Sequence, residues 1–203
     1  QTTYNGEDVN FNGILDPGED KDNNGRITRF ILPSPPDIPR IKAIANDKSI
    51  ELYWSDNSEE SIDPITQIKD FEGYRVFATK LGYDVTKVPN LLEDLIQIGE
   101  FDIKDNGFAN EIGLETIKLK SPIAFDANEN ELAIDSIFEN EEWNYFIAPG
   151  QGQIEDSTIY IYKYTLNGLL NGWQYAVAVS AFDRGNPEQN LLPLESSLLG
   201  NNA

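Results

Sequence analysis

A stretch of twelve residues near the start of the chain contains five oxygen-bearing side chains at the spacing that a hard cation requires. Residues 8–19 read DVNFNGILDPGE. Calcium binds about six to eight oxygen ligands on a short, sharply turned backbone. Gly13 permits the turn, and the carbonyl of Ile14 can act as a backbone ligand. The predicted side-chain ligands are Asp8, Asn10, Asn12, Asp16 and the bidentate carboxylate of Glu19.

A second loop of the same type begins directly after the first. Residues 20–25 read DKDNNG, which repeats the alternation of Asp and Asn before a glycine. The sequence therefore predicts two consecutive calcium sites with a mainly structural role. The alternative is a flexible, acidic N-terminal tail. The candidate ligands of the second loop are Asp20, Asp22, Asn24 and, at the position of Ile14 in the first loop, Arg26.

Charge and composition exclude several classes of function. The 203 residues carry a net charge of -20, with 39% hydrophobic residues, which is enough for a folded protein. Such a charge repels nucleic acid and anionic membrane surfaces and attracts cations. The absence of Cys and His excludes disulfides, thiolate zinc sites, cysteine nucleophiles and histidine-dependent triads. No apolar run approaches the ~20 residues of a membrane span, so no membrane insertion is expected.

These features indicate an extracellular setting. Calcium loops with weak affinity are typical of extracellular modules. The sequence contains no Met, so we expect a processed product or a piece of a longer chain, and Gln1 fits a mature N-terminus after removal of a signal peptide. We therefore expect an extracellular or cell-surface location.

The elements that must position the loops are short strands. Apolar alternation and turn signals predict an all-β sandwich, and only residues 90–95 suggest a short helix. Residues 26–32 form a further strand-like arm, which a proline-rich elbow at residues 33–36 separates from the sandwich. The predicted strands of the sandwich are residues 40–45, 49–54, 74–78, 95–101, 114–119, 131–134, 143–147, 159–164 and 175–182.

The first loop resembles an EF-hand loop at every ligand position. Its surroundings differ, because Pro17 and Gly18 precede Glu19 and neither flank carries an apolar helical stripe. The pair of loops is more similar to the helix-free, aspartate-rich loops of thrombospondin type 3 repeats. This resemblance implies that calcium stiffens the region and does not move a switchable helix pair.

The sandwich resembles a fibronectin type III domain. Residues 50–54 are similar to strand B with its buried Trp54, and residues 71–77 are similar to strand C. Residues 169–175, LLNGWQY, resemble the L-x-P-G-x-x-Y signature that precedes strand F. The resemblance implies that Tyr175 makes a hydrogen bond to the backbone upstream of it.

The resemblance divides the chain into two parts. Residues 1–32 would contain the calcium loops and the strand-like arm, and residues 33–203 would form the sandwich. An immunoglobulin-like sandwich needs ~100 residues, so we expect an insertion at about 102–157 that forms its own strands at one edge. Enlarged domains behind calcium loops resemble modules of large secreted bacterial proteins.

Evidence for catalysis in the sequence is poor, and no enzyme is expected. Carboxylates that could act as a glycosidase pair crowd residues 56–63 and 139–142, but solvated loops explain them more simply. Residues 126–130 repeat the calcium rhythm without the glycine and are interpreted as a turn. Packing explains most aromatic clusters, so a sugar-binding platform is the less favoured interpretation of the following set. Its members would be Trp143, Tyr145, Tyr160, Tyr162, Tyr164 and Trp173.

Two hypotheses of function remain open. The first is a non-catalytic, calcium-stabilised structural or adhesive module that associates with itself or with neighbouring modules. Residues 26–32 or the C-terminal tail would add as a strand to the next subunit of a filament, unless residues 26–32 pack on their own domain. The chain after residue 183 has no strand-like run, which predicts a weakly covered edge on the last strand. The second hypothesis is a carbohydrate-binding or spacer module of a large secreted enzyme, with glycans as partners.

Overall fold

Nine strands form in the described part of the chain, and eight of them cover the predicted places. The strand predicted at residues 114–119 is wrong over its first half, because Leu114–Thr116 is a 3-10 turn and the strand there is Lys118–Phe125. The described helical segments are α1 (Leu91–Asp94) and two 3-10 turns, Asn57–Glu60 and Leu114–Thr116. The computed structural model describes residues 6–21, 23–82, 91–108, 110–139, 142–153, 157–186 and 191–198. The strands are β1 (Ile41–Asn46), β2 (Ser49–Trp54), β3 (Phe71–Gly82), β4 (Ile96–Asp102), β5 (Lys118–Phe125), β6 (Glu131–Glu139), β7 (Glu142–Ile147), β8 (Tyr160–Asn167) and β9 (Gln174–Asp183).

The strands form two antiparallel sheets, so the predicted all-β sandwich is confirmed. One sheet has six strands in the order β1-β2-β8-β5-β6-β7, and the other has three in the order β4-β3-β9. Strand β2 pairs in unbroken register with β1 on one side and β8 on the other. Strands β5 to β7 come from residues 102–157 and extend the larger sheet beyond β8.

The main core lies between the two sheets. Trp54 is fully buried, and its ring centroid lies 5.7 Å from that of Tyr74 and 5.8 Å from that of Tyr162. A smaller cluster around Leu132 and Ile134 anchors β6. The burial predicted for Trp54 is therefore confirmed, and its ring joins strands of both sheets.

The turn before β9 and the edge of β9 are fixed by local hydrogen bonds. The Leu170 amide donates to the Tyr175 hydroxyl at 3.0 Å, which confirms the hydrogen bond predicted for this tyrosine. Beyond β9, the Ser196 amide donates to the Ala181 carbonyl at 2.8 Å, and the Asp183 amide donates to the Leu194 carbonyl at 3.0 Å. The prediction of a weakly covered edge is therefore wrong at this end of β9, although the tail has no strand-like sequence.

Residues 26–32 do not form a strand, so the prediction of a strand-like arm is wrong. The reason is that Glu7 engages both backbone groups of Thr28. The Thr28 amide donates to Glu7 Oε2 at 2.8 Å, and the Thr28 carbonyl accepts from the Glu7 amide at 3.0 Å. Ile31 is buried, whereas Phe30 and Leu32 are exposed. The segment packs on its own chain.

The proline-rich elbow connects this region to the sandwich by hydrogen bonds. The Ser34 amide donates to Asp63 Oδ2 at 3.2 Å, and the Asp37 amide donates to Ser61 Oγ at 2.7 Å. The Ser58 hydroxyl donates to the Asp37 carbonyl at 2.6 Å. The loop after β2 therefore sets the direction in which the N-terminal region leaves the sandwich. Within the described ranges, no helix has both the length and the apolar composition needed to cross a membrane.

Candidate metal centre

Asp8 organises the backbone of the first loop. Its Oδ1 accepts from the Asn12 amide at 2.9 Å, and its Oδ2 accepts from the Gly13 amide at 3.0 Å. The chain turns sharply here because Phe11 and Gly13 both have left-handed backbone angles, with φ of 58° and 76°. A glycine adopts this conformation without strain, whereas Phe11 does so at a cost.

The predicted side-chain ligands of the first loop meet at Asp16. The Nδ2 atoms of Asn10 and Asn12 each donate to Asp16 Oδ2 at 2.8 Å. Glu19 then closes the loop, because its Oε1 accepts from the Val9 amide and its Oε2 accepts from the Asp16 amide, both at 3.0 Å. The structure thus brings together the residues that the sequence pattern singled out.

The second loop repeats this geometry. Asp20 accepts from the amides of Asn24 and Gly25, both at 3.0 Å. The Arg26 amide donates to Asn24 Oδ1 at 2.7 Å, as the Ile14 amide donates to Asn12 Oδ1 in the first loop. Asn23 and Gly25 have left-handed φ angles of 54° and 70°, at the positions of Phe11 and Gly13. Asp22 lies outside the described residues.

Glu7 is the functional residue that the sequence analysis missed. Its Oε1 accepts from the Lys21 amide at 2.8 Å, and its Oε2 accepts from the Thr28 amide at 2.8 Å. Lys21 and Thr28 are the second and ninth residues of the second loop, and Glu19 binds the second and ninth residues of the first. Each glutamate therefore closes one loop, and Glu7 reaches the second loop from a position ahead of the first.

A repeat in the sequence could have identified this role. Gly6, Glu7 and Asp8 recur as Gly18, Glu19 and Asp20. The usual position for a closing glutamate in the second loop is occupied by Ile31, which is buried and has no side-chain oxygen. The missing carboxylate therefore had to come from elsewhere, and the repeated Gly-Glu-Asp marks its source.

The donor set of the first loop fits a hard cation. Carboxylate and amide oxygens dominate, with the Ile14 carbonyl at the backbone position, which is the chemistry that calcium prefers. No described group of three or more Asp or Glu side chains could hold a metal ion by itself. Asn side chains and backbone carbonyls would have to complete a site in either loop. The corresponding donors of the second loop are Asp20, Asn24, the Arg26 carbonyl and Glu7.

Three of the other acidic candidates, Glu59, Asp63 and Asp126, bind groups of the fold, and Glu141 lies outside the described residues. Glu59 Oε1 accepts from the Tyr162 hydroxyl at 2.6 Å and from the Tyr74 hydroxyl at 3.3 Å, inside the main core. Burial raises the pKa of Glu59, and hydrogen bonds from these tyrosines oppose the rise. Asp63 Oδ1 binds the amides of its own loop, and Asp126 accepts from the amides of residues 128 and 130 in the turn before β6. The turn predicted at residues 126–130 is therefore confirmed.

The aromatic residues proposed as a sugar platform do not form one surface. Tyr160 and Tyr162 are buried. The Lys80 Nζ lies over the indole of Trp173, 3.7 Å from the ring centroid. Trp143 is 58% exposed and lines a cavity together with Tyr145. Tyr164 is half-buried and packs on Phe101, with ring centroids 5.8 Å apart. Of the six residues, Trp143 is the one with a largely exposed side chain.

Comparison of the chain with protein-family models, with curated proteins and with solved structures found no match. The function must therefore be argued from the residues and their geometry.

Proposed function

We propose that the chain is a non-catalytic, calcium-stabilised structural or adhesive module of an extracellular or cell-surface protein. The observation that carries the proposal is the reciprocal closure of the two loops. Glu19 binds the amides of Val9 and Asp16, and Glu7 binds those of Lys21 and Thr28. Because each glutamate precedes the aspartate that opens a loop, the two sites support each other.

The position of the loops favours a stiffening role. The segment after the second loop enters the proline elbow, and the elbow is bound to the loop after β2 through Asp63, Ser61 and Ser58. An ion in either loop would therefore fix the direction in which the N-terminal region leaves the sandwich. The loops connect to no described helix pair that calcium could open, so a sensor role has no structural support.

The N-terminal region also presents apolar side chains that support contact with a neighbouring module or with a second copy. Strand addition by residues 26–32 has lost its basis, because Thr28 already pairs with Glu7. Contact through side chains is the mode that remains, since contiguous exposed apolar groups commonly mark interaction sites. The exposed residues are Val9, Phe11, Ile14, Phe30 and Leu32.

The experiment that tests the proposal is calcium titration by calorimetry of the chain and its Glu7→Gln and Glu19→Gln variants. We expect two ions to bind, and each variant to weaken one site at least ~10-fold, because carboxylate charge sets calcium affinity. Glu60→Gln is the matched control, since Glu60 is exposed and pairs only with Lys69 among described residues. Unchanged binding in Glu7→Gln would refute the reciprocal closure, and no calcium binding at all would refute the function.

A further inference from the structure

A bulge in β5 opens the larger sheet next to β8. The two strands pair at Lys118 with Tyr162 and again at Ile123 with Tyr160. Residues 119–122 lie between these pairs on β5, whereas only Ile161 lies between them on β8. β5 must therefore loop away from β8, and bulges of this kind commonly redirect side chains at functional sites.

The β6–β7 hairpin continues past the end of the core on one face. Ile134 is buried, and its cross-strand partner is Ile147. The next pair on the same face is Ser136 with Tyr145, and the last is Phe138 with Trp143. Phe138 and Trp143 are 59% and 58% exposed, with ring centroids 5.3 Å apart. The face therefore changes from core packing to an open aromatic surface.

The bulge and the hairpin enclose a cleft between them. Its volume is about 180 Å³, which is smaller than the ~300–1,000 Å³ of sites for drug-sized ligands. A cleft of this size holds one ring or one side chain, and leaves the remainder of a longer ligand outside. The residues that determine its chemistry are Lys118, Lys120, Ser136, Trp143, Tyr145 and Ile161.

Lys118 and Lys120 line the cleft, and the carboxylates of Asp56 and Glu59 lie near Lys118 and Tyr145. Lys118 lies close enough to Asp56 and Glu59 to lower the pKa of each, although burial has the larger effect and raises both. Lys120 is exposed and makes no ion pair with any described residue. In a chain with a net charge of -20, a lysine that forms no ion pair within the described ranges and lies beside an exposed indole favours an anionic ligand with an apolar face.

We propose that this cleft binds one carboxylated sugar unit, such as a uronate within an acidic polysaccharide. The C–H groups of a pyranose face pack on the electron-rich face of the Trp143 indole. The carboxylate pairs with the Lys120 ammonium, a charge-assisted contact. The Ser136 hydroxyl can both donate to and accept from a sugar hydroxyl. The site is separate from the calcium loops and does not depend on them.

The test is calorimetric titration of the whole chain with trigalacturonate and with neutral maltotriose, in chelator so that calcium cannot bridge the ligand to the loops. We expect trigalacturonate to bind, more weakly as salt increases, and maltotriose to bind at least ~10-fold more weakly. Trp143→Ala should reduce trigalacturonate affinity at least ~10-fold, and so should Lys120→Ala, whose exposed side chain carries no packing that folding requires.

Trp173→Ala is the matched control, because it removes the other partly accessible indole, which packs on Lys80. Its affinity for trigalacturonate should equal that of the parent chain. Equal binding of the two sugars, retained affinity in Lys120→Ala, or an equal loss in Trp173→Ala would each overturn the proposal. The parent chain could fail to bind trigalacturonate while Trp143→Ala changes the oligomeric state in sedimentation. That result would identify the cleft as a contact between copies of the chain and would also overturn the proposal.

Discussion

The N-terminal region and the sandwich are ordered by different forces. In the sandwich, the fully buried side chains include Trp54, Tyr74 and Val76, and apolar burial holds the two sheets together. In the described residues before position 33, Ile31 is the only buried large apolar side chain, whereas Glu7 and Glu19 are 0% and 9% exposed. The first region is organised around carboxylates and the second around aromatic rings.

This difference determines what each region needs in order to fold. A buried carboxylate costs several kcal/mol unless hydrogen bonds or a cation compensate it. The amides that bind Glu7 and Glu19 supply part of that compensation, and a divalent cation would supply the rest. The sandwich also buries carboxylates, Glu72 and Asp102 among them, but apolar burial between its two sheets outweighs their cost. Stability of the sandwich should therefore be independent of calcium, and order in the loops should depend on it.

The largest effect on stability is expected when the central ring of the sandwich, the indole of Trp54, is removed. Trp54→Ala should lower the free energy of unfolding by ~3–5 kcal/mol, because a fully buried aromatic side chain is replaced by a cavity. Urea unfolding, followed by the fluorescence of the remaining tryptophans, would measure it in calcium and in chelator. The loss should be equal in both. Calcium should also leave the unfolding free energy of the parent sandwich unchanged, and a rise with calcium in this transition would mean that the two regions fold as one unit.

A smaller effect is expected from three carboxylates near the junction of the two regions, Asp63, Asp70 and Asp183. Burial first, and then the charges of Asp183 and Asp63, raise the pKa of Asp70 from 3.8 to about 6. The folded protein therefore binds more protons than the unfolded chain between about pH 4 and 6, so stability falls as pH rises through this window. Above pH ~6 the penalty reaches its full size, which would be about 3 kcal/mol without solvent screening and is about 2 kcal/mol after screening by water at this partly accessible carboxyl.

Asp70→Asn should remove this penalty. We expect the variant to be about 1–2 kcal/mol more stable than the parent at pH 8 and to differ little from it at pH 4, measured by urea unfolding in chelator. Asp37→Asn is a control for charge alone, because Asp37 is exposed. If Asp70→Asn and the parent have the same free energy of unfolding at pH 8, burial and the neighbouring carboxylates do not destabilise the charged form of Asp70.

The features that the sequence could predict are those set by local pattern. Strand β2 alternates polar and apolar residues from Ser49 to Leu52, ends in two aromatic residues, and was predicted with the observed bounds. Spacing alone predicted that Asp8, Asn10 and Asn12 lie together in one loop, because the hydrogen bonds of their side chains to described residues stay within residues 8–16. Features set by distant contacts were missed. Residues 26–32 have a strand-like composition, but Glu7, far from them in sequence, takes the backbone groups that a strand would use.

The covering of β9 by the tail was missed for the same reason. Ser196 and Leu194 bind β9 through backbone groups, which leave no mark on side-chain alternation. The position of the cleft beside Trp143 also depended on a bulge in β5, and no residue spacing in that strand signals how far it leaves β8. The sequence singled out Trp143 as a possible ligand-binding residue but did not predict that Lys120 and Ser136 lie beside it.

The central claim is that calcium orders the loops and not the sandwich, and hydrogen exchange of the two sets of amides tests it most directly. The Val9, Lys21 and Thr28 amides report on the loops through their bonds to Glu19 and Glu7, and the Val76 amide in β3 reports on the sandwich. At calcium concentrations ~100 times the dissociation constant, we predict that exchange slows about 100-fold at the loop amides and is unchanged at Val76. Loop amides that exchange equally in calcium and in chelator would contradict the account, and so would equal slowing at Val76.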